Sequence, residues 1–70
     1  MVHSVQVLIN GETREVPDGL TVTGLLAHLS LSGNRVAIER NLDRLPWTQW
    51  GETLVSAGDR FEIVHLVGGG

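Results

Sequence analysis

The chain contains no cysteine, which removes disulfide staples, thiolate metal sites and a cysteine nucleophile together. Any sulfur chemistry must therefore use sulfur brought from elsewhere. Lysine is also missing: the basic residues are Arg14, Arg35, Arg40, Arg44 and Arg60. A Schiff base is excluded, and so is an isopeptide bond to the chain's own ε-amine. Positive charge is scarce and scattered. With a formal net charge of −3 and no basic cluster, the chain is not built to bind nucleic acid. Nothing at the N-terminus resembles a signal peptide and no apolar run approaches a membrane span, so a cytoplasmic protein is expected.

Recognisable site patterns are absent as well. His3, His28 and His65 lie far apart, without metal-ligand spacing or cysteine partners, and read as surface or strand-face histidines. Asp18, Asp43 and Asp59 each sit in a turn, where an aspartate bonds the local backbone. Gly11, Gly19, Gly33, Gly51 and Gly58 are scattered turn glycines, with no GxGxxG or GxxxxGK[ST] spacing for phosphate. No carboxylate pair has a reason to be catalytic.

What the chain has is glycine at its end. Val67-Gly68-Gly69-Gly70 follows an apolar run, Phe61 to Val67, that reads as a strand. Glycine is about 7% of average composition, so a Gly-Gly ending by chance is roughly a 0.5% event. Without Cβ, such a tail offers nothing to obstruct a narrow channel. Three extended residues reach about 10 Å, enough to present the Gly70 carboxylate inside another protein's active site. A frayed terminus, a linker or a strand stop signal would read the same way on the tail alone.

Seventy residues make one domain, near the size at which a single core only just suffices. Val5, Val7 and Ile9 alternate with polar residues as a half-buried strand. Asn10-Gly11 signals a type I′ hairpin turn, from which a second strand returns through Thr13 to Val16 and ends at Pro17-Asp18-Gly19. Thr21 stands at a helix N-cap, followed by Val22, Leu25, Leu26 and Leu29 at helical spacing. Leu20 and Leu25 then occupy the hydrophobic-staple positions. Gly24 weakens the helix by roughly 1 kcal/mol relative to alanine, so packing onto a sheet must hold it. Ser32-Gly33-Asn34 is the expected helix stop.

Val36-Ala37-Ile38 reads as a third strand, Asn41-Leu42-Asp43 as a turn, and Arg44-Leu45 as a short fourth strand. Pro46 to Trp50 is a turn or 3₁₀ segment, since proline fixes φ and removes a donor. Leu54-Val55 leads into the turn at Gly58-Asp59. One helix with several short strands makes a two-layer α+β domain, the helix covering one face of the sheet. Trp50 is expected in the core, as large aromatics usually are; for Trp47 core and partner surface stay open. Along the last strand Phe61, Ile63, His65 and Val67 face one way and Arg60, Glu62, Val64 and Leu66 the other. If Phe61 and Ile63 meet the helix, Val64 and Leu66 are left on the opposite face beside the tail. There they would form a docking surface, unless loops cover them.

Taken together, the residues are familiar. The chain resembles the ThiS family, the ubiquitin-like sulfur carriers of thiazole formation in thiamin biosynthesis, over essentially its whole length. The resemblance is carried by Ile9-Asn10-Gly11-Glu12, by Thr21-Val22 leading into Leu25-Leu26, and by Val36-Ala37-Ile38-Glu39-Arg40-Asn41. Further along it rests on Pro46 four before Trp50, and on Gly58 to Val64 running into Val67-Gly68-Gly69-Gly70. Trp47 departs from the family, where a polar or basic residue is usual, and Leu42-Asp43-Arg44-Leu45 is less typical of the turn.

The resemblance implies a ubiquitin-like β-grasp fold over residues 1–67, a mixed sheet of four to five strands with one main helix on one face. Residues 68–70 form a flexible tail in this reading. It implies a protein co-substrate rather than an enzyme, a monomer when free, with no bound cofactor and no metal. A ThiF-like adenylyltransferase would use ATP to activate Gly70, Gly68 and Gly69 would thread into the partner's active site, and the resulting thiocarboxylate would pass sulfur to the thiazole synthase ThiG. Two other readings stay open: the small subunit of molybdopterin synthase, against which the shorter chain and the Pro46–Trp50 segment speak, and a ubiquitin-like modifier.

Overall fold

The computed structural model describes residues 3–31 and 35–66. Strand β1, Ser4–Ile9, turns through Asn10-Gly11 into β2, Glu12–Pro17. Both loop residues have positive φ, 52° and 84°, the geometry a two-residue type I′ turn requires. Helix α1, Val22–His28, follows. Then come β3, Val36–Arg40; β4, Asp43–Leu45; a single 3₁₀ turn, Trp47–Gln49; and β5, Arg60–His65.

The strands form one mixed sheet in the order β2-β1-β5-β3-β4. The chain's last strand is its central one. β5 runs parallel to β1, with Leu8 opposite Arg60 and Ile9 opposite Phe61. It runs antiparallel to β3, from Val36 opposite His65 to Arg40 opposite Phe61. Alternation then sorts the faces. Val7, Ile9, Val16, Ile38, Phe61 and Ile63 turn inward with Val22, Leu25 and Leu26 of the helix, and all are buried.

Helix α1 starts as its sequence indicates. The Thr21 hydroxyl accepts the Gly24 N–H at 3.1 Å, and Leu20 packs against the core cluster. A Cβ built on Gly24 would lie 3.3 Å from Leu20 Cδ2, so the absent side chain leaves room for the residue that seals the helix start. The segment after the 3₁₀ turn seals it further. Val22 N–H donates to Thr53 O and Val55 N–H to Leu20 O, both at 2.9 Å, and Val55 joins the core.

The helix end departs from expectation. Ser32-Gly33-Asn34, the expected stop, lies outside the described residues, and α1 has already closed before it. Ser30 takes φ 62° and donates its N–H to Ala27 O at 3.1 Å, while Leu31 N–H reaches Leu26 O at 2.7 Å. These two bonds make a Schellman closure in which serine holds the left-handed position usually given to glycine. Ser30→Gly should therefore raise stability by about 0.5–1 kcal/mol, the relieved strain exceeding the extra freedom of the unfolded chain. A higher urea midpoint with unchanged slope is the expected reading; a lower midpoint would contradict it.

Candidate functional site

Gly68, Gly69 and Gly70 lie outside the described residues, as does Val67. The strand that leads to them is β5. β5 is held on both sides by asparagines at the ends of its neighbours. Where β1 turns away, the Asn10 side chain takes over the pairing: its Oδ1 accepts Ile63 N–H at 2.8 Å and its Nδ2 donates to Ile63 O at 3.1 Å. Where β3 turns away, Asn41 does the same at the other end. Its backbone N–H donates to Arg60 O at 2.7 Å, and its Oδ1 accepts Arg60 N–H at 2.9 Å. Both asparagines have φ 52°, a conformation in which Asn is among the most tolerant side chains.

The start of β5 is anchored by Asp59, which is 6% exposed. Its Oδ2 receives Ser56 N–H at 2.8 Å, Arg40 Nη2 at 3.0 Å and Arg40 Nε at 3.1 Å. Its Oδ1 receives Asn41 Nδ2 at 3.2 Å. A buried carboxylate is tolerable only when paired and fully bonded in this way. The bond to Ser56 N–H is of the local kind expected of a turn aspartate, whereas the Arg40 pair has no sequence signal, because 19 residues separate the partners and nothing in the chain marks them as neighbours.

Val64 and Leu66 are 58% and 51% exposed. Val64 stands opposite Ala37 on the face away from the helix, and Leu66, two residues on, extends the pairing by donating its N–H to Arg35 O at 2.9 Å. Glu39, Arg44 and Glu62 share that open face with Leu42, around a shallow hollow of about 430 Å³. On the helix side, His65 is exposed at the sheet's end. Trp50 is half-buried against the core, its Nε1 donating to Leu45 O at 3.1 Å, whereas Trp47 is 75% exposed. Among the described residues no group of three or more His, Cys, Asp or Glu side chains could hold a metal. Among the same residues no helix is long and apolar enough to cross a membrane.

A five-stranded mixed sheet with a central C-terminal strand and one helix across a single face defines a ubiquitin-like β-grasp domain. The profile of the ThiS family matches residues 7–70, and the chain belongs to that family. The crystal structure of the thiamine biosynthesis protein ThiS from Geobacter metallireducens superposes with a TM-score of 0.79 at 33% identity, covering 94% of this chain and 100% of that one. A thiazole synthase of Paramagnetospirillum magneticum is 39% identical over 66 residues. The chain spans about a fifth of the length of the thiazole synthases it matches. The uncharacterized protein ycf40 of Pyropia yezoensis is 35% identical over the full length of both chains.

Proposed function

We propose that this chain is a sulfur carrier of thiamin biosynthesis whose reacting atoms are the carboxyl group of Gly70. The observation that carries the reading is a family match running through residue 70, in a chain whose central strand, pinned on both sides, leads directly to that residue. A C-terminal carboxylate is an anion at neutral pH and a poor acyl electrophile. Attack of its oxygen on the α-phosphorus of ATP releases pyrophosphate and leaves an acyl-adenylate. Sulfide then attacks the carbonyl carbon, AMP departs with the bonding pair, and Gly70 is left as a thiocarboxylate. The body supplies no catalytic group; it docks and presents the tail, so the chain is a co-substrate. A ThiF-like adenylyltransferase performs the activation in this reading, with Gly68 and Gly69 threaded through its channel. The similarity to a stretch within thiazole synthases supports a thiazole synthase as the receiver of the sulfur, with the exchange taking place in the cytoplasm.

Intact-mass measurement after incubation with ATP, a ThiF-like adenylyltransferase and sulfide should show one terminal oxygen of Gly70 replaced by sulfur. An unchanged mass, with an enzyme that converts another carrier of the family, would refute the reading. Transfer of that sulfur to a thiazole synthase but not to a molybdopterin synthase assigns the pathway.

A further inference from the structure

The parallel ladder between β1 and β5 runs on after β1 has ended. Its repeat is set by two main-chain bonds, Leu8 N–H to Asp59 O and Asn10 N–H to Phe61 O, both at 2.9 Å. Each step advances two residues along both strands. The next bonds are therefore due from Ile63 N–H to the carbonyl of residue 10, and from the N–H of residue 12 to Ile63 O. β1 has turned away before it can make them: the chain reverses at Asn10-Gly11, and Glu12 already belongs to β2, opposite Ile9. The Asn10 carboxamide supplies both groups instead. Its Oδ1 accepts Ile63 N–H at 2.8 Å and its Nδ2 donates to Ile63 O at 3.1 Å.

The turn alone does not ask for asparagine. Glycine or aspartate serves the first position of a type I′ turn as well, but glycine has no side chain to offer and an ionised aspartate has no donor. A carboxamide carries an acceptor and a donor, like the peptide group it replaces. What it secures is the exit of β5. On the β1 side the strand register stops at Ile9 opposite Phe61, and the Asn10 side chain extends the hold to Ile63. On the β3 side pairing continues to Val36 opposite His65, and Leu66 N–H reaches Arg35 O at 2.9 Å. Past Ile63 the described part of the strand is held along one edge. The entry of β5 is different, because there Asn41 shares the task with Asp59.

We propose that Asn10 is a positioning residue for the reaction at Gly70: its carboxamide keeps β5 from pivoting on the β3 edge and so sets the direction in which the tail leaves the domain. Ile63 and Gly70 are seven residues apart. At about 3.3 Å per extended residue that is a lever of about 23 Å, so a pivot of about 5° displaces the reacting carboxylate by about 2 Å. A misplacement of about 1 Å already costs on the order of a hundredfold in rate, and a tail drawn out to its full reach has no slack to correct it. The loss falls on the rate within the complex, not on its formation, because the carboxamide is spent on Ile63. The inference rests on the carrier reading for the reaction, and on the ladder alone for the hold on β5.

The test separates position from stability. Asn10→Gly suits the positive φ, keeps the turn and removes only the carboxamide. Its amide exchange at Leu66 should quicken about tenfold or more relative to that at Leu8, as a local opening of the exit requires. With saturating adenylyltransferase its single-turnover adenylation should slow about tenfold or more, while the KM stays within about twofold. Val16→Ala truncates the core at the end of the sheet away from the tail and should lower the melting temperature at least as far. It should leave both the exchange ratio and the single-turnover rate within about twofold of the wild type. Asn10→Asp keeps the acceptor but sets a carboxylate oxygen against Ile63 O, and should show the same losses; it carries the comparison if Asn10→Gly lacks a cooperative melting transition. A wild-type rate in the Asn10 variants overturns the proposal. So does a raised KM at an unchanged rate, which makes Asn10 a docking residue, and so does an equal slowing in Val16→Ala, which makes the effect one of stability. An unchanged exchange ratio overturns the hold on β5 itself. Normal adenylation of the wild type alongside any of these results leaves the carrier reading standing. A wild type that is never adenylated removes both.

Discussion

Gly69→Val should slow adenylation by on the order of a hundredfold, the scale of loss when a reacting group is misplaced by about 1 Å. Valine adds two branches at Cβ, restricts χ1 and disfavours positive φ. A channel built for glycines must then widen, or Gly70 must stop short of the α-phosphorus. The folded body is a separate matter. The core is assembled from strands and helix that end at His65, so stability should stay within about 0.5 kcal/mol of the wild type, as for changes remote from packing. The paired measurement is a single-turnover adenylation rate beside a melting curve. A variant adenylated at the wild-type rate would show that slimness is not what the tail contributes. A variant that melts early would show that residue 69 belongs to the fold.

Asp59→Ala should lower stability by about 3 kcal/mol, the order expected when a buried, bonded carboxylate is deleted and its donors are left unmatched. The loss is that large because one side chain serves three partners. Arg40, Asn41 and the Ser56 N–H would all lose an acceptor. The Arg40 side chain, 29% exposed, can recover some hydration, which keeps the effect below that of a fully enclosed pair. A domain of this length has roughly 4–10 kcal/mol in total, so the melting temperature should fall by on the order of 10–20 °C. Asp59→Asn keeps the shape and part of the bonding and should lose less. Equal losses for the two variants would mean that shape, not charge, is what Asp59 supplies, and a fall of only a degree or two would mean that β5 is anchored by its neighbours alone. The consequence for function follows from topology. Asp59 fixes the entry of β5, whose exit leads to the tail, so a loosened entry should reduce docking before it unfolds the chain.

Most of the fold is written in local pattern. The alternation of Val5, Val7 and Ile9, the Asn10-Gly11 turn and the Thr21 cap all match the structure because each depends on residues within a turn or two of one another. Leu25 and Leu26 reach the core for the same reason, whereas Trp50, expected in the core, packs against it half-buried. The sequence points to Ser32-Gly33-Asn34 as the helix end because glycine is the usual left-handed residue. Ser30 takes that conformation instead, held by bonds to Ala27 and Leu26 that only a closed helix offers. Periodicity also places Val64 and Leu66 on the face opposite Phe61 and Ile63; that no loop among the described residues covers them is a matter of tertiary structure.

The clasps on β5 were not legible, and the reason is distance along the chain. Asn10 and Ile63 are 53 residues apart, and a turn asparagine that also completes a ladder looks like any other turn asparagine. The sheet order belongs with them. Several orders satisfy the same alternating strands, and only packing under the helix put the last strand in the middle, next to the first and parallel to it. Arg44, Glu39 and Glu62 became one row by register, which no single strand contains. The sequence by itself determined the elements, the inward faces and the glycines of the tail, because these are set by covalent neighbours and by the hydrophobic period. The tertiary structure decided which distant groups meet, because a hydrogen bond or a charge repulsion acts over a few ångströms in space and carries no mark in the chain.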